Sequence, residues 1–169
     1  KEYSYIRRKI NKLMNTHKNI IIKDYSDVNY SDIINLYNSW SHGAYQRYDN
    51  LFDKDYYSEI IKNYNYLQHI ILTAINDNKI IGMISGEIAS NKTGYCLFRK
   101  VSEGYDGLSE FLISQLAAKF YSLDPNVITF NDGGAGKTEG LQFFKERFRP
   151  VNKPKRYKLR QGFRILSST

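Results

Sequence analysis

Cysteine is nearly absent from this chain: Cys96 is the only one in 169 residues, so no internal disulfide can form. A reducing, cytoplasmic setting is favoured. Cys96 lies inside the apolar run GYCLF, where a buried, inert thiol is the ordinary role and a nucleophile the poorer reading. Histidine is also scarce. His17, His42 and His69 are scattered, and no Cys/His spacing suggests zinc, so no metal is expected. The G-x-S-x-G elbow of one large class of serine hydrolases is missing. No run approaches the about 18 apolar residues of a membrane span, and no signal peptide is visible, so the chain reads as soluble. It begins at Lys1 without a methionine, as an excised or processed piece of a longer protein would.

Aromatic residues and positive charge are what the chain has in plenty. There are 15 Tyr, 9 Phe and 1 Trp, so much of the core must be built from rings with polar tips. Lys and Arg total 25 against 17 Asp and Glu, a net charge of +8. Many of the basic residues fall between Lys145 and Arg164. That concentration suits a polyanionic partner, whether phosphate groups, RNA or an anionic membrane surface, and equally a solvated basic tail.

The length suits one domain able to bury a core without staples. KEYSYIRRKINKLMNTH places Tyr3, Ile6, Ile10 and Leu13 on one helical face, with Arg7, Arg8, Lys9 and Lys12 in the other directions. NIIIK reads as a short strand, VNYSDIINLYNSW as a helix with Ile33, Leu36, Tyr37 and Trp40 on one side, and DKDYYSEIIKNYNYL as a third helix. From His69 to Lys100, β-branched and aromatic runs broken by NDNK and SNKTG predict a three-stranded antiparallel meander. DGLSEFLISQLAAKFYSL returns to helical spacing, with Leu108, Phe111, Leu112, Leu116 and Phe120 inward and Pro125 beyond its end. NVITF predicts a short strand buried on both faces. A helix, TEGLQFFKERF, and an extended stretch around RYKLRQGF close the chain.

Between that strand and helix the text FNDGGAGKT comes near a nucleotide-binding P-loop, but Asn131 stands where the first glycine of G-x-x-x-x-G-K-[ST] belongs. Only 31 residues follow Thr138, too few for the parallel strands and the magnesium-binding aspartate of that architecture. ATP or GTP hydrolysis is therefore set aside. Thr138 reads as an ordinary N-cap, and the glycines as the means of a sharp turn.

The meander AINDNKIIGMISGEI, followed by a helix, a short strand and a final helix, resembles the GNAT acyltransferases, in which two central strands splay apart and the donor binds in the gap. NDGG, GLQFFKERFRP and RYKL look like the end of such domains in two groups, the lysyl-phosphatidylglycerol synthase catalytic domain and the Fem-type peptidyltransferases, where a G-L-x-x-F-K-x-x-F signature recurs. The opening IRRKINKLMNTHKNIIIK resembles the entry to those domains. The resemblance implies an α/β (α+β), three-layer fold with a mixed, mainly antiparallel sheet flanked by helices. One domain would occupy residues 1–160, with a tail over 161–169. Because those enzymes commonly pair two GNAT-like halves, an N-terminal partner half is expected to be missing.

The same resemblance implies transfer of an acyl or aminoacyl group to an amine or hydroxyl acceptor, with aminoacyl-tRNA the favoured donor, acyl-CoA the alternative, and no permanently bound cofactor. A non-catalytic half that binds RNA or supports a missing catalytic domain is the rival from another class. The usual pyrophosphate loop, Q/R-x-x-G-x-G/A, is not spelled by VSEGYD, although Gly104, Gly107 and a helix N-terminus there suit a phosphate-bearing donor.

Acyl transfer needs a deprotonated nucleophile and positive or N–H groups facing the oxyanion. Lys145 shares a helical face with Leu141 and Phe148, so it must snorkel out or enter a cleft. The resemblance places the lysine of FFK at the active cleft. Asn131 and Asp132 end a strand, where α/β folds present ligand-facing groups, or else cap the turn. Arg99 and Lys100 end another strand beside the donor loop and suit phosphates. Glu87 lies where GNAT enzymes often put a base, with its facing undecided. Arg147, Arg149, Lys153, Lys155 and Arg156 suit contact with a nucleic-acid backbone or another anion.

Overall fold

The computed structural model describes residues 3–27, 30–45, 54–64, 66–67, 69–134 and 138–153. Its elements are α1 (Ser4–Thr16), β1 (Ile21–Asp24), a 3-10 turn (Tyr25–Asp27), α2 (Tyr30–Tyr45), α3 (Lys54–Lys62), β2 (Ile70–Asn76), β3 (Lys79–Ile88), β4 (Thr93–Val101), α4 (Leu108–Leu123), β5 (Thr129–Asn131) and α5 (Glu139–Glu146). Every predicted element is present up to α5. The extended stretch expected around Arg156–Phe163 lies outside the described residues, as do Ala135, Gly136 and Lys137 of the glycine-rich loop.

The five strands form one sheet in the order β1-β2-β3-β4-β5, antiparallel as far as β4 and parallel between β4 and β5. The meander turns follow from their sequences. Asp77 and Asn78 both take positive φ, 48° and 62°, the conformation of a two-residue hairpin turn that Asp and Asn tolerate. In the next turn Lys92 has φ 60°, and the Asn91 side-chain oxygen accepts the Thr93 N–H at 3.1 Å.

Helices cover both faces. One core joins Leu13 of α1 and Leu108, Leu112, Leu116 and Phe120 of α4 to Leu72, Ala74, Ile81 and Ile84, with Phe144 and Phe148 packed at its margin. The other joins Ile33, Leu36 and Tyr37 of α2 and Tyr57, Ile60 and Ile61 of α3 to Ile71, Met83 and Phe98. Each fully buried aliphatic or aromatic side chain there contributes roughly 1.5–3 kcal/mol relative to exposure. The layers are therefore helix, sheet, helix.

Three expectations are corrected. The run at 127–131 is not a strand buried on both faces: β5 has three residues and pairs with one short stretch of β4, Val127 is buried and Phe130 half-buried against the α4 core, and Ile128 is 90% exposed. Tyr3 is exposed, since the chain enters α1 there with φ 57°. Thr138 occupies the N-cap of α5 but its side chain makes no capping hydrogen bond. Among the described residues no helix is long and apolar enough to cross a membrane, and no cluster of His, Cys, Asp or Glu could hold a metal ion.

Candidate active site

β4 and β5 stay together for three residues only: Thr93, Gly94 and Tyr95 pair with Thr129, Phe130 and Asn131. Beyond Tyr95, β4 runs on to Val101 while the other chain turns away at Asp132, so the sheet opens between them. The turn is set by Asn131, whose side-chain oxygen accepts the Gly133 N–H at 2.8 Å, and by Gly133 itself at φ 70°.

A three-residue charge cluster spans this opening. Asp132 receives Arg99 from β4 at 2.9 Å on Oδ1 and Lys145 from α5 at 2.9 Å on Oδ2. The Lys145 ammonium also donates to the Asp132 backbone carbonyl, and to that of Gly133 at 3.4 Å. The Arg99 guanidinium lies 5.0 Å from the Phe144 ring centroid. All three charged side chains are less than 20% exposed. Two cations share one carboxylate, leaving a net positive pole beneath the opening, suited to an oxyanion.

A β-bulge makes this geometry. The register passes from Ser85 opposite Phe98 to Gly86 opposite Cys96, so Leu97 is an extra residue in β4. Leu97 and Phe98 consequently both join the α2/α3 core, and Cys96 and Arg99, three apart, fall on the same face. Burial, outweighing the nearby Arg99 charge, pushes the Cys96 thiol up to about 12. At neutral pH it is a protonated packing group.

Lys100 does not join Arg99. It points to the opposite face and is 3% exposed, its ammonium 3.4 Å from the Trp40 ring centroid and 5.6 Å from that of Tyr37. Alternation along β4 separates the two cations that were expected to grip phosphates together.

The loop after β4 is covered by α1. A Cβ on Gly107 (φ 97°) would lie 2.5 Å from the Lys9 carbonyl oxygen, so α1 is in close contact with the N-cap of α4. Lys9 binds Asp106 at 2.5 and 2.7 Å, and His17 stacks on Tyr105 with centroids 4.6 Å apart. Glu110 sits in the first helical turn and is 5% exposed. Carboxylates thus already stand where the helix dipole would favour a phosphate. Gly104, at φ 87°, has open space around it.

Glu87 faces the α2/α3 side, since Ile84, an odd number of residues away, lies in the α4 core and β3 itself carries no extra residue here. Its carboxylate is 3.2 Å from His69 Nε2. Sequence reasoning missed this pair because the partners are 18 positions apart, His69 just before β2 and Glu87 on β3. The strand pairing Ile70↔Gly86 is the signal that finds it.

The remaining basic candidates spread over the α1/α5 surface. Arg147 donates to the Tyr5 hydroxyl and packs between the Tyr5 and Phe143 rings, at 4.3 and 4.1 Å from their centroids. Lys153 pairs with Glu146 at 2.9 Å. Arg149 is exposed and has φ 50°. Lys155 and Arg156 lie outside the described residues.

A mixed sheet opening between β4 and a short parallel β5, between two helix layers, is the fold of the GNAT acyltransferases. The solved structures of that shape include three informative relatives. A conserved protein of unknown function from Bacteroides thetaiotaomicron superposes with a TM-score of 0.77 at 16% identity, over 88% of this chain and 50% of that one. An aminoglycoside acetyltransferase from an uncultured soil metagenomic sample, crystallised with sisomicin, gives 0.62 at 11% identity, over 89% and 99%. The C-terminal domain of a protein described as a lysylphosphatidylglycerol synthetase, from Agrobacterium fabrum, gives 0.61 at 15%, over 88% and 51%. The chain therefore spans about half the length of the Bacteroides protein and of the Agrobacterium domain. No family model matches the chain, and no curated protein matches it in sequence.

Proposed function

We propose that the protein is an acyltransferase that moves an aminoacyl group from aminoacyl-tRNA to an amine or hydroxyl acceptor. The observation that carries this reading is the opening beyond Tyr95 and Asn131, floored by Arg99, Asp132 and Lys145. The acceptor atom attacks the ester carbonyl, and the carbonyl oxygen gains negative charge against the cationic pole formed by Lys145 and Arg99. The carbon–oxygen ester bond then breaks, and the ribose hydroxyl leaves with the proton that the acceptor gives up. Asp132 holds both cations in place. Asn131 sets the turn that puts Asp132 there.

The choice of donor is supported by the α4 N-terminus. The pyrophosphate of an acyl-CoA would have to meet Asp106, Glu110 and the body of α1. An aminoacyl-tRNA brings its acyl ester without a pyrophosphate and suits the exposed Arg7, Arg8 and Arg149 on the α1/α5 side. The second reading, a half that supports a catalytic partner, is favoured by one fact: the chain spans 50% and 51% of two structural relatives.

Thermal stabilisation tests the donor. A ligand at about 100 times its dissociation constant adds roughly 2.7 kcal/mol, which for a chain of this size raises Tm by roughly 5–10 °C. Charged tRNA is expected to produce that shift, and CoA and ATP are expected to produce none. A shift with CoA alone replaces tRNA by acyl-CoA as donor. RNA binding without consumption of either donor leaves the supporting-half reading in its place.

A further inference from the structure

Lys145 and Arg99 share Asp132, but they differ in the donors they have left. The Lys145 ammonium has three N–H groups, and three acceptors surround it: the Asp132 carboxylate at 2.9 Å, the Asp132 backbone carbonyl, and the Gly133 carbonyl at 3.4 Å. All its donors are taken up by the turn after β5. The Arg99 guanidinium has five N–H groups and places one, on Nη1, against Asp132 at 2.9 Å. None of the other four has an acceptor among the described residues. The side chain keeps 12% of its surface, so a substrate can reach it.

One hydrogen bond does not fix the plane of a guanidinium. Phe144 of α5 supplies the missing restraint, with its ring centroid 5.0 Å from the guanidinium carbon. A ring set against a guanidinium holds its plane while using none of its N–H groups, because those lie in the plane. The ring is itself braced. Phe148, one helical turn on, stands 5.4 Å away at 58°, and both rings pack at the margin of the α4 core. Phe144 and Lys145 are consecutive, so α5 brings a ring to Arg99 and an ammonium to Asp132 from the same turn of helix.

We propose that Phe144 is a positioning residue for Arg99, and that Arg99 is the cation whose N–H groups bond to the oxyanion, Lys145 contributing charge and the shape of the turn. The inference rests on the acyltransferase reading and divides the roles within its cationic pole. A planar fork held at one corner by Asp132 and on its face by a ring presents its free N–H groups in one direction, as a developing oxyanion requires.

Methylphosphonate, a tetrahedral anion, probes the pole without turnover. In the full chain labelled with 15N-arginine it is expected to move the Arg99 side-chain resonance saturably, that resonance being assigned by its loss in Arg99→Lys. Phe144→Leu keeps apolar bulk without the ring and should weaken this binding by roughly fivefold, whereas Phe144→Tyr keeps the ring and should stay within about twofold of the parent. Transfer is measured with a pool of charged tRNA as donor and 1,4-diaminobutane as acceptor. Phe144→Leu should lower kcat by about tenfold and leave KM for the donor within about twofold, because the contact forms only as the oxyanion does. Arg99→Lys should lower kcat by about a hundredfold, and adding Phe144→Leu to it should cost less than about twofold more. A ring that merely packed the helix would cost as much in either background. An unchanged kcat in Phe144→Leu, additive losses in the double variant, or full kcat in Arg99→Lys would overturn the proposal. If Phe144→Leu fails to fold, Phe144→Met takes its place in the same comparisons. Methylphosphonate binding that depends on Phe144, without acyl transfer from any donor, would sink the acyltransferase reading and leave this arrangement standing; transfer indifferent to Phe144 would do the reverse.

Discussion

Asp132 is the residue on which the opening depends, because one carboxylate neutralises part of two half-buried cations. Replacing it by Asn leaves Arg99 and Lys145 facing each other with only carbonyl acceptors. Half-buried partners left unpaired should cost on the order of 2–3 kcal/mol, below the range for fully buried pairs because some solvent reaches them. Lys145→Ala removes one cation and keeps the Arg99 pair, so it should lower stability by about 1 kcal/mol or less while reducing transfer by roughly a hundredfold or more. Chemical denaturation and turnover, measured on both variants, check this. Full transfer by Lys145→Ala would remove the lysine from the mechanism. At this scale, helical periodicity put Lys145 on the face of Leu141 and Phe148, the family resemblance pointed it to the cleft, and strand-end position left Asp132 as either a ligand-facing group or a turn cap. Arg99 and Lys100 could not be told apart by the same means, since the bulge at Leu97 shifts the facing of everything before it, and a single sequence does not show which strand carries the extra residue.

The helix α1 is the element that distinguishes the donor side. Its apolar stripe, Ile6 and Leu13, was readable from spacing, but its seat was not: only the fold brings Lys9 to Asp106, 97 positions away. Gly107 allows that seat. Gly107→Ala would place a Cβ within 2.5 Å of the Lys9 carbonyl at a φ of 97°, so α1 must shift or the loop must rebuild. The expected cost is about 2–4 kcal/mol, combining the left-handed backbone with the clash. Amide hydrogen exchange should show α1 losing protection before the sheet does. Uniform exchange in this variant would show that α1 does not depend on the contact. The short β5 teaches the converse lesson. Its apolar run looked like a central strand, yet a strand's burial depends on the neighbours it finds, and β5 finds only three residues of β4.

For the whole molecule, the net charge of +8 means that acid should add repulsion to a structure held in part by carboxylates. Asp124 is held at about 2 rather than 3.8, chiefly by Lys92 and then by Asn126. Asp106 is lowered, first by its hydrogen bond from Lys9, and Lys9 is raised above 10.5, first by the same bond. A depressed carboxylate contributes fully above its unfolded value and loses that contribution as pH falls through its folded one; for Asp124 the window is 3.8 to about 2. The raised Lys9 contributes fully below 10.5 and loses its share as pH rises through its folded value. Melting temperature should therefore fall below pH 3.8, and Asp124→Asn should flatten part of that fall without altering the alkaline limb. An identical acid limb in the variant would remove Lys92–Asp124 from the account. These are exposed pairs, so the effect should be small and weakened by salt.

The sequence by itself determined the elements, their order, the hairpin turns and the two amphipathic layers, because periodicity and turn chemistry act over a few residues. It also put Lys145 on a helical face and Asn131 and Asp132 at a strand end, and the family resemblance made them candidates. Tertiary structure alone decided which groups meet: Arg99 with Asp132, His69 with Glu87, Lys100 with Trp40, and α1 with the loop before α4. Those meetings depend on strand register, one bulged residue and the docking of elements far apart in the chain. No local pattern encodes them.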